Sequence, residues 1–155
     1  MSTVAALNRR VRAGEQQYAT FYVGPVLLGV DIRIVQEINR HSEITEVPHA
    51  PLCVRGVINL RGEVATIVDL RTILGMPRIA TTRESRNLIV HSRGEAIGLM
   101  VDRISDILTL RSDEIDPPPA NISNIDGRLI AGVHALENEI VVLLDVEKVL
   151  AENEQ

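Results

Sequence analysis

The sequence predicts an all-β protein built from two similar small barrels. Three observations carry this expectation. Apolar runs of four to eight residues recur along the chain between turn signals, which is the spacing of sandwich and barrel strands. The apolar residues are mostly Val, Ile and Leu, with aromatics at only 2%, so β-branched side chains must build the core. The chain also repeats part of itself.

Each element carries its own signal. Tyr18 to Val23 alternates large and small residues and ends at Gly24-Pro25. Val26 to Val30 and Ile34 to Ile38 are further strands. Val54 to Leu60 and Val64 to Leu70 flank Arg61-Gly62-Glu63, which reads as a hairpin turn. Leu70 to Leu74 reads as a helical turn stopped by Gly75 and Pro77. Arg78 to Arg86 is a polar linker. Asn87 to His91, Ala96 to Val101 and Ile104 to Leu110 resume the strand pattern. Three consecutive prolines within Asp116 to Ala120 force a stiff loop, because proline lacks the amide that a helix interior or central strand needs. Leu129 to Leu136 and Ile140 to Leu144 flank a turn at Glu137-Asn138-Glu139, and Val146 to Ala151 suggests a terminal helix.

Gly56 to Leu74 can be laid on Gly132 to Leu150 without a gap, the two glycines standing 76 residues apart. Gly56/Gly132, Val57/Val133, Leu60/Leu136, Glu63/Glu139, Asp69/Asp145 and Leu74/Leu150 are identical pairs. Val30-Asp31 before Val35 to Ile38 also echoes Val101-Asp102 before Ile104 to Ile107, a match that needs a small gap. Duplication of a barrel explains these identities, and barrel closure removes exposed strand edges.

Composition narrows the function. A net charge of −5 and scarce aromatic side chains argue against a nucleic-acid binder, which needs phosphate-neutralising cations and stacking platforms. Arg9, Arg10 and Arg12 form a local basic patch that reads either as a solvated tail or as a contacting arm. No apolar run nears the ~20 residues that cross a bilayer, and the first residues lack the apolar segment of a secretion signal, so no membrane insertion is expected. The single cysteine, Cys53, lies among apolar neighbours and reads as a packed residue in a reducing cytoplasm.

The sequence carries few marks of chemistry. There is no nucleophile elbow, phosphate loop or dinucleotide fingerprint. His41, His49, His91 and His134 show no metal-ligand spacing, so no metal, cofactor or catalytic residue is expected. Asp69 and Asp145 each precede a helical turn and read as N-caps. Glu37, between Gln36 and Ile38, would be steadied by a basic partner, for which Arg61 at the hairpin tip is the candidate.

At these residues a resemblance enters. Val35-Gln36-Glu37-Ile38, Arg55 to Gly62 and Ile67-Val68-Asp69-Leu70-Arg71 resemble the CheW family of chemotaxis coupling proteins. Gly98, Val101-Asp102, Ile104 to Leu108, Ile115 to Pro119 and the final hairpin with its helix continue the likeness, which spans roughly Gln17 to Ala151. Ala65-Thr66, where the family often carries a proline, and His134 depart from the pattern.

The resemblance implies two five-stranded, SH3-like β-barrels sharing a hydrophobic core, with short helices. Residues 1–16 would be a flexible arm and 17–151 one CheW-like domain. Its subdomains would span about 17–78 and about 86–144, with a helix at about 145–151 and a tail at 152–155. It further implies a non-enzymatic cytoplasmic adaptor at receptor arrays on the inner face of the membrane. The implied partners are the cytoplasmic tip of a methyl-accepting receptor, the regulatory domain of the histidine kinase CheA and other CheW-like domains in rings. By matching positions, Glu37, Gly56 and Arg61 would belong to the kinase or receptor surface. Val35, Gly98, Ile104 and Ile107 would line the receptor groove, although core packing explains the three apolar side chains equally well. A CheW-like adaptor of another chemosensory pathway, such as surface motility, fits the same pattern. A small β-barrel ligand-binding protein would need a polar pocket, and no residues in the sequence mark one.

Overall fold

The computed structural model describes residues 12–40 and 43–151. Most of the expected N-terminal arm, including Arg9 and Arg10, lies outside the described residues, as do His41 and the tail at 152–155. The first repeat contributes β1 (Glu15–Val23), β2 (Val26–Asp31), β3 (Val35–Asn39), β4 (Val54–Leu60), β5 (Glu63–Asp69) and a helical turn, α1 (Leu70–Ile73). The second contributes β6 (Arg86–Ser92), β7 (Glu95–Val101), β8 (Arg103–Arg111), β11 (Ile130–Ala135), β12 (Ile140–Leu144) and α2 (Val146–Ala151). A small hairpin, β9 (Asn121–Ile122) and β10 (Ile125–Asp126), interrupts the second repeat. It turns at Ser123-Asn124, both at positive φ. No run of strand-forming residues announced it, yet its Ile125 is fully buried.

The strands form two five-stranded sheets, ordered β11-β12-β2-β1-β8 and β3-β6-β7-β5-β4. Each sheet has the same internal plan. A first hairpin pairs antiparallel with a third strand on one side (β1 with β8, β6 with β3). On the other side its second strand runs parallel to the end of a later hairpin (β2 with β12, β7 with β5). The duplication read from sequence is therefore present in the topology.

The chain divides between the sheets differently from the expected halves at 17–78 and 86–144. β1 and β2 join β8, β11 and β12 of the second repeat, while β6 and β7 join β3, β4 and β5 of the first. The first hairpins are exchanged between repeats. Strand periodicity reports which residues are extended and which face is apolar, but it is blind to the choice between two equivalent partners. A duplicated sequence offers that choice at every hairpin.

Burial is a consequence of this exchange. Among the described residues three apolar clusters form. One lies within the second sheet, around Ile58, Ile67, Ile89 and Met100. A second lies within the first sheet, around Leu27, Leu110, Val141 and Leu143. The largest draws on both sheets and both helices, including Phe21, Leu28, Leu70, Leu88, Leu99 and Val149. Each sheet is thus apolar on both faces, as the near-continuous Val/Ile/Leu runs require. Cys53 is buried, and burial pushes its thiol above the usual range, in keeping with a packed residue.

Both expected N-caps are present. The Asp69 carboxylate accepts from the Arg71 amide at 3.0 Å, and that of Asp145 accepts from the Lys148 amide at 3.2 Å. Asp69 is also the buried partner of Arg55, whose guanidinium lies 3.0 Å away and donates to the Ile79 carbonyl. One further ion pair clasps the two repeats. Arg71, after β5, donates to Asp102 from Nε at 3.0 and 3.2 Å and from Nη2 at 2.7 Å. Asp102 also accepts from the Gly24 amide at 2.7 Å, in the turn between β1 and β2.

Candidate functional site

The polar half of the expected site is assembled at the mouth of the second sheet. Leu60-Arg61-Gly62-Glu63 closes the β4–β5 hairpin with two central residues, Arg61 and Gly62, at φ of 53° and 87°. That is the twist a two-residue hairpin needs. The Asn59 side chain accepts from the Gly62 amide at 3.0 Å and fixes the turn. Arg61 then reaches Glu37 on β3, Nη2 to Oε1, at 2.8 Å. β3 and β4 are opposite edges of one sheet, so this contact shows the sheet curling back on itself.

A bulge explains how Glu37 gets there. Val35 pairs with Val90 and Glu37 with Ile89, leaving Gln36 as the extra residue. In a regular strand Val35 and Glu37 would share a face; the bulge shifts the alternation between them. Val35 enters the core common to both sheets. Glu37 stands opposite Ile89, on the face that lines the second sheet's own core.

Arg61 is 82% exposed and Glu37 22%. A pair this open to water contributes about 0–1 kcal/mol to stability. Its geometry presents a fixed guanidinium and carboxylate to solvent, which suits recognition better than support.

Gly56 lies behind this pair, where residues 43–45 cross β4. Thr45 and Val57 exchange backbone hydrogen bonds of 2.9 and 2.8 Å. Gly56 has φ +146°, and a Cβ there would stand 2.3 Å from the Thr45 carbonyl oxygen and 2.6 Å from Ile44. Gly132 repeats the arrangement against Ile115 and Asp116, with Asp116 bridging Val133 as Thr45 bridges Val57. A side chain at Gly56 would thus first meet the backbone that supports the surface.

The apolar half is assembled in part. β3 and β8 are outer strands of the two sheets. In β8 a second bulge sets Ile104 opposite Phe21 and Ile107 opposite Ala19. Residues three apart therefore share one face, and the Thr20 hydroxyl donates to the Asp106 carbonyl inside the bulge. Ile104 and Ile107 are half-buried against the common core that holds Val35. Ile38 on β3 is half-buried on the same core, an apolar position that sequence reasoning did not single out.

Gly98 does not join them. It lies buried in β7 beside Ile67, where a Cβ would meet Ile67 at 2.5 Å and Ile89 at 3.1 Å. Its role is to let β5 and β7 close over the interior of the second sheet.

His134 is also accounted for. Its Nδ1 lies 2.7 Å from the Glu114 carbonyl, so it donates there and ties β11 to the turn after β8. Among the described residues no group of three or more His, Cys, Asp or Glu side chains is placed to hold a metal ion.

Known proteins resemble this chain in sequence and architecture. The model of the CheW-like domain matches residues 17–154. A probable chemotaxis protein CheW from Rhizobium etli is 33% identical over 97% of this chain and 95% of the relative. Chemotaxis protein CheW from Rhizobium meliloti is 35% identical over 92% of each chain. The crystal structure of the scaffolding protein TtCheW from Thermoanaerobacter tengcongensis superposes with a TM-score of 0.78 at 28% identity, covering 84% of this chain and 88% of that one. With a family model spanning nearly the whole sequence and relatives of matching length, the chain belongs to the CheW-like family.

Proposed function

We propose that this protein is a non-catalytic adaptor that couples methyl-accepting chemoreceptors to the histidine kinase CheA and helps assemble receptor arrays on the cytoplasmic face of the membrane. The observation that carries the proposal is end-to-end similarity to proteins named for chemotaxis and scaffolding. Among the described residues no helix is long and apolar enough to cross a membrane.

The two halves of the site support a division of labour. The Arg61–Glu37 pair offers a forked donor and a carboxylate held in register, which fits recognition of a polar partner surface such as the kinase regulatory domain. Ile104, Ile107 and Val35, with Ile38 beside them, offer apolar contacts on the outer strands, which fits the apolar face of a receptor-tip helix. Contacts of this size are individually modest, and multivalency in an array raises the effective affinity.

Co-sedimentation with receptor-bearing membranes and CheA tests the assignment of Arg61. Arg61→Glu places two carboxylates together at an exposed site, so the fold persists while the partner surface changes sign. Retention of the kinase is expected to fall about tenfold or more, the scale of a lost charged anchor. Unchanged kinase retention by the folded variant would remove Arg61 from the interface.

A further inference from the structure

We propose that the cavity between the end of β3 and the linker before β6 is a binding site for a small phosphomonoester carrying an apolar group. The cavity has a volume of about 470 Å³, within the range of small-molecule sites. Arg40 and Arg83 line it from opposite segments of the chain, and Ile44 and Met100 supply an apolar surface.

Most other arginines among the described residues are engaged. Arg33, Arg55, Arg61, Arg71, Arg111 and Arg128 each meet a carboxylate. Arg86 donates to backbone carbonyls, and Arg103 lies over the Tyr22 ring. The Arg40 and Arg83 side chains have no polar partner among the described residues, and both residues are exposed. Two unneutralised guanidiniums on one cavity are a local reversal in a chain of net charge −5. The planar fork of arginine matches phosphate oxygens, and a dianion can engage both.

Two hydroxyl groups of the lining suit the same chemistry, while Thr81 and Asn87 complete the polar wall. Thr82 and Ser85 line the cavity. Each spends its hydroxyl oxygen as an acceptor inside its own turn: Ser85 Oγ accepts from the Thr82 amide at 2.9 Å, and Thr82 Oγ1 from the Glu84 amide at 3.2 Å. Each O–H hydrogen is left to donate, which an anion can accept. Arg86 Nη1 holds the turn through the carbonyls of Arg83 at 2.9 Å and Ser85 at 2.8 Å, adding a third cation beside it. Glu84 belongs to the same turn but does not line the cavity. An organic phosphate thus finds charge, donors and an apolar wall together.

Phenyl phosphate is the probe, with inorganic phosphate and phenol as its separated halves, titrated into the full chain and monitored by amide chemical shifts. Saturable shifts centred on Arg40, Ile44, Thr82, Arg83, Ser85 and Met100 are expected. Phenyl phosphate should bind more tightly than inorganic phosphate, and phenol should produce no such shifts. Arg40→Gln with Arg83→Gln should weaken binding about tenfold or more, the loss of charge-assisted bonds. Arg78→Gln, outside the cavity, should leave binding unchanged, and thermal melts should show all variants folded. Shifts that never saturate, that spread over every basic residue, or that survive the double substitution would overturn the proposal.

Discussion

Gly56 shows how one backbone position can govern a surface it does not itself form. Its φ of +146° is one that side-chain-bearing residues rarely adopt, and its missing Cβ makes room for the Thr45 carbonyl. Gly56→Ala should therefore destabilise the protein by about 2–3 kcal/mol through strain and overpacking. The expected signature in chemical denaturation is a lower midpoint with an unchanged slope. Gly62 offers the contrast, because no atom lies within 4 Å of its missing Cβ. The sequence makes Gly56 conspicuous by its repetition at Gly132, and the family resemblance would place it at a partner surface. What it cannot reveal is the crossing segment at 43–45, because a lone bridge between Thr45 and Val57 leaves no periodic trace. The Arg61–Glu37 pair was legible for a similar local reason: a hairpin-tip arginine and a strand carboxylate each lack an obvious neighbour. Gly98 is ambiguous in the sequence because a glycine in a strand marks either a close packing contact or a ligand contact, and the residue alone does not distinguish them.

At the level of elements, the strands were legible nearly throughout, since Val/Ile-rich runs bounded by glycine, proline and polar turns have few other folded solutions. Register was less so. The bulges at Gln36 and opposite Thr20 alter which residues share a face, and no composition signal marks them. The clasp from Arg71 to Asp102 and Gly24 was equally hidden, joining residues 31 and 78 positions apart. Asp102 feels burial, which alone would raise its carboxyl, but the Arg71 guanidinium and the Gly24 amide outweigh burial and hold it below the ordinary range. Its ionised form thus favours the folded state. That stabilisation is complete above the ordinary carboxylate pKa and is lost as pH falls through the lowered folded value. Asp102→Asn should cost about 1–3 kcal/mol at neutral pH, as the charged acceptor is lost from a partly buried network. The cost should shrink in acid, where the wild type loses the same charge. Denaturant melts at neutral and acid pH check this; an equal cost at both would show that the clasp contributes no charge-dependent stability.

Across the whole molecule, the exchange of first hairpins makes the two repeats interdependent. A fragment ending near residue 78 keeps β1 and β2 but loses β8, β11 and β12, the rest of their sheet. The same fragment keeps β3, β4 and β5 but loses β6 and β7, which lie between them. Neither sheet can form alone, so the fragment should give a disordered far-UV spectrum, while the full chain should unfold in one transition. A folded fragment would contradict the exchanged topology. Such interdependence suits a scaffold, because outer strands from both sheets rest on one rigid core and hold their surfaces at a fixed separation.

Coupling of receptor to kinase by this protein is read out by CheA autophosphorylation reconstituted with receptor membranes, with and without the protein. A large rise in phosphorylation rate is expected only when all three components are present, with most of that rise lost in Arg61→Glu. No rise with a receptor and kinase that a cognate adaptor does activate would contradict the coupling.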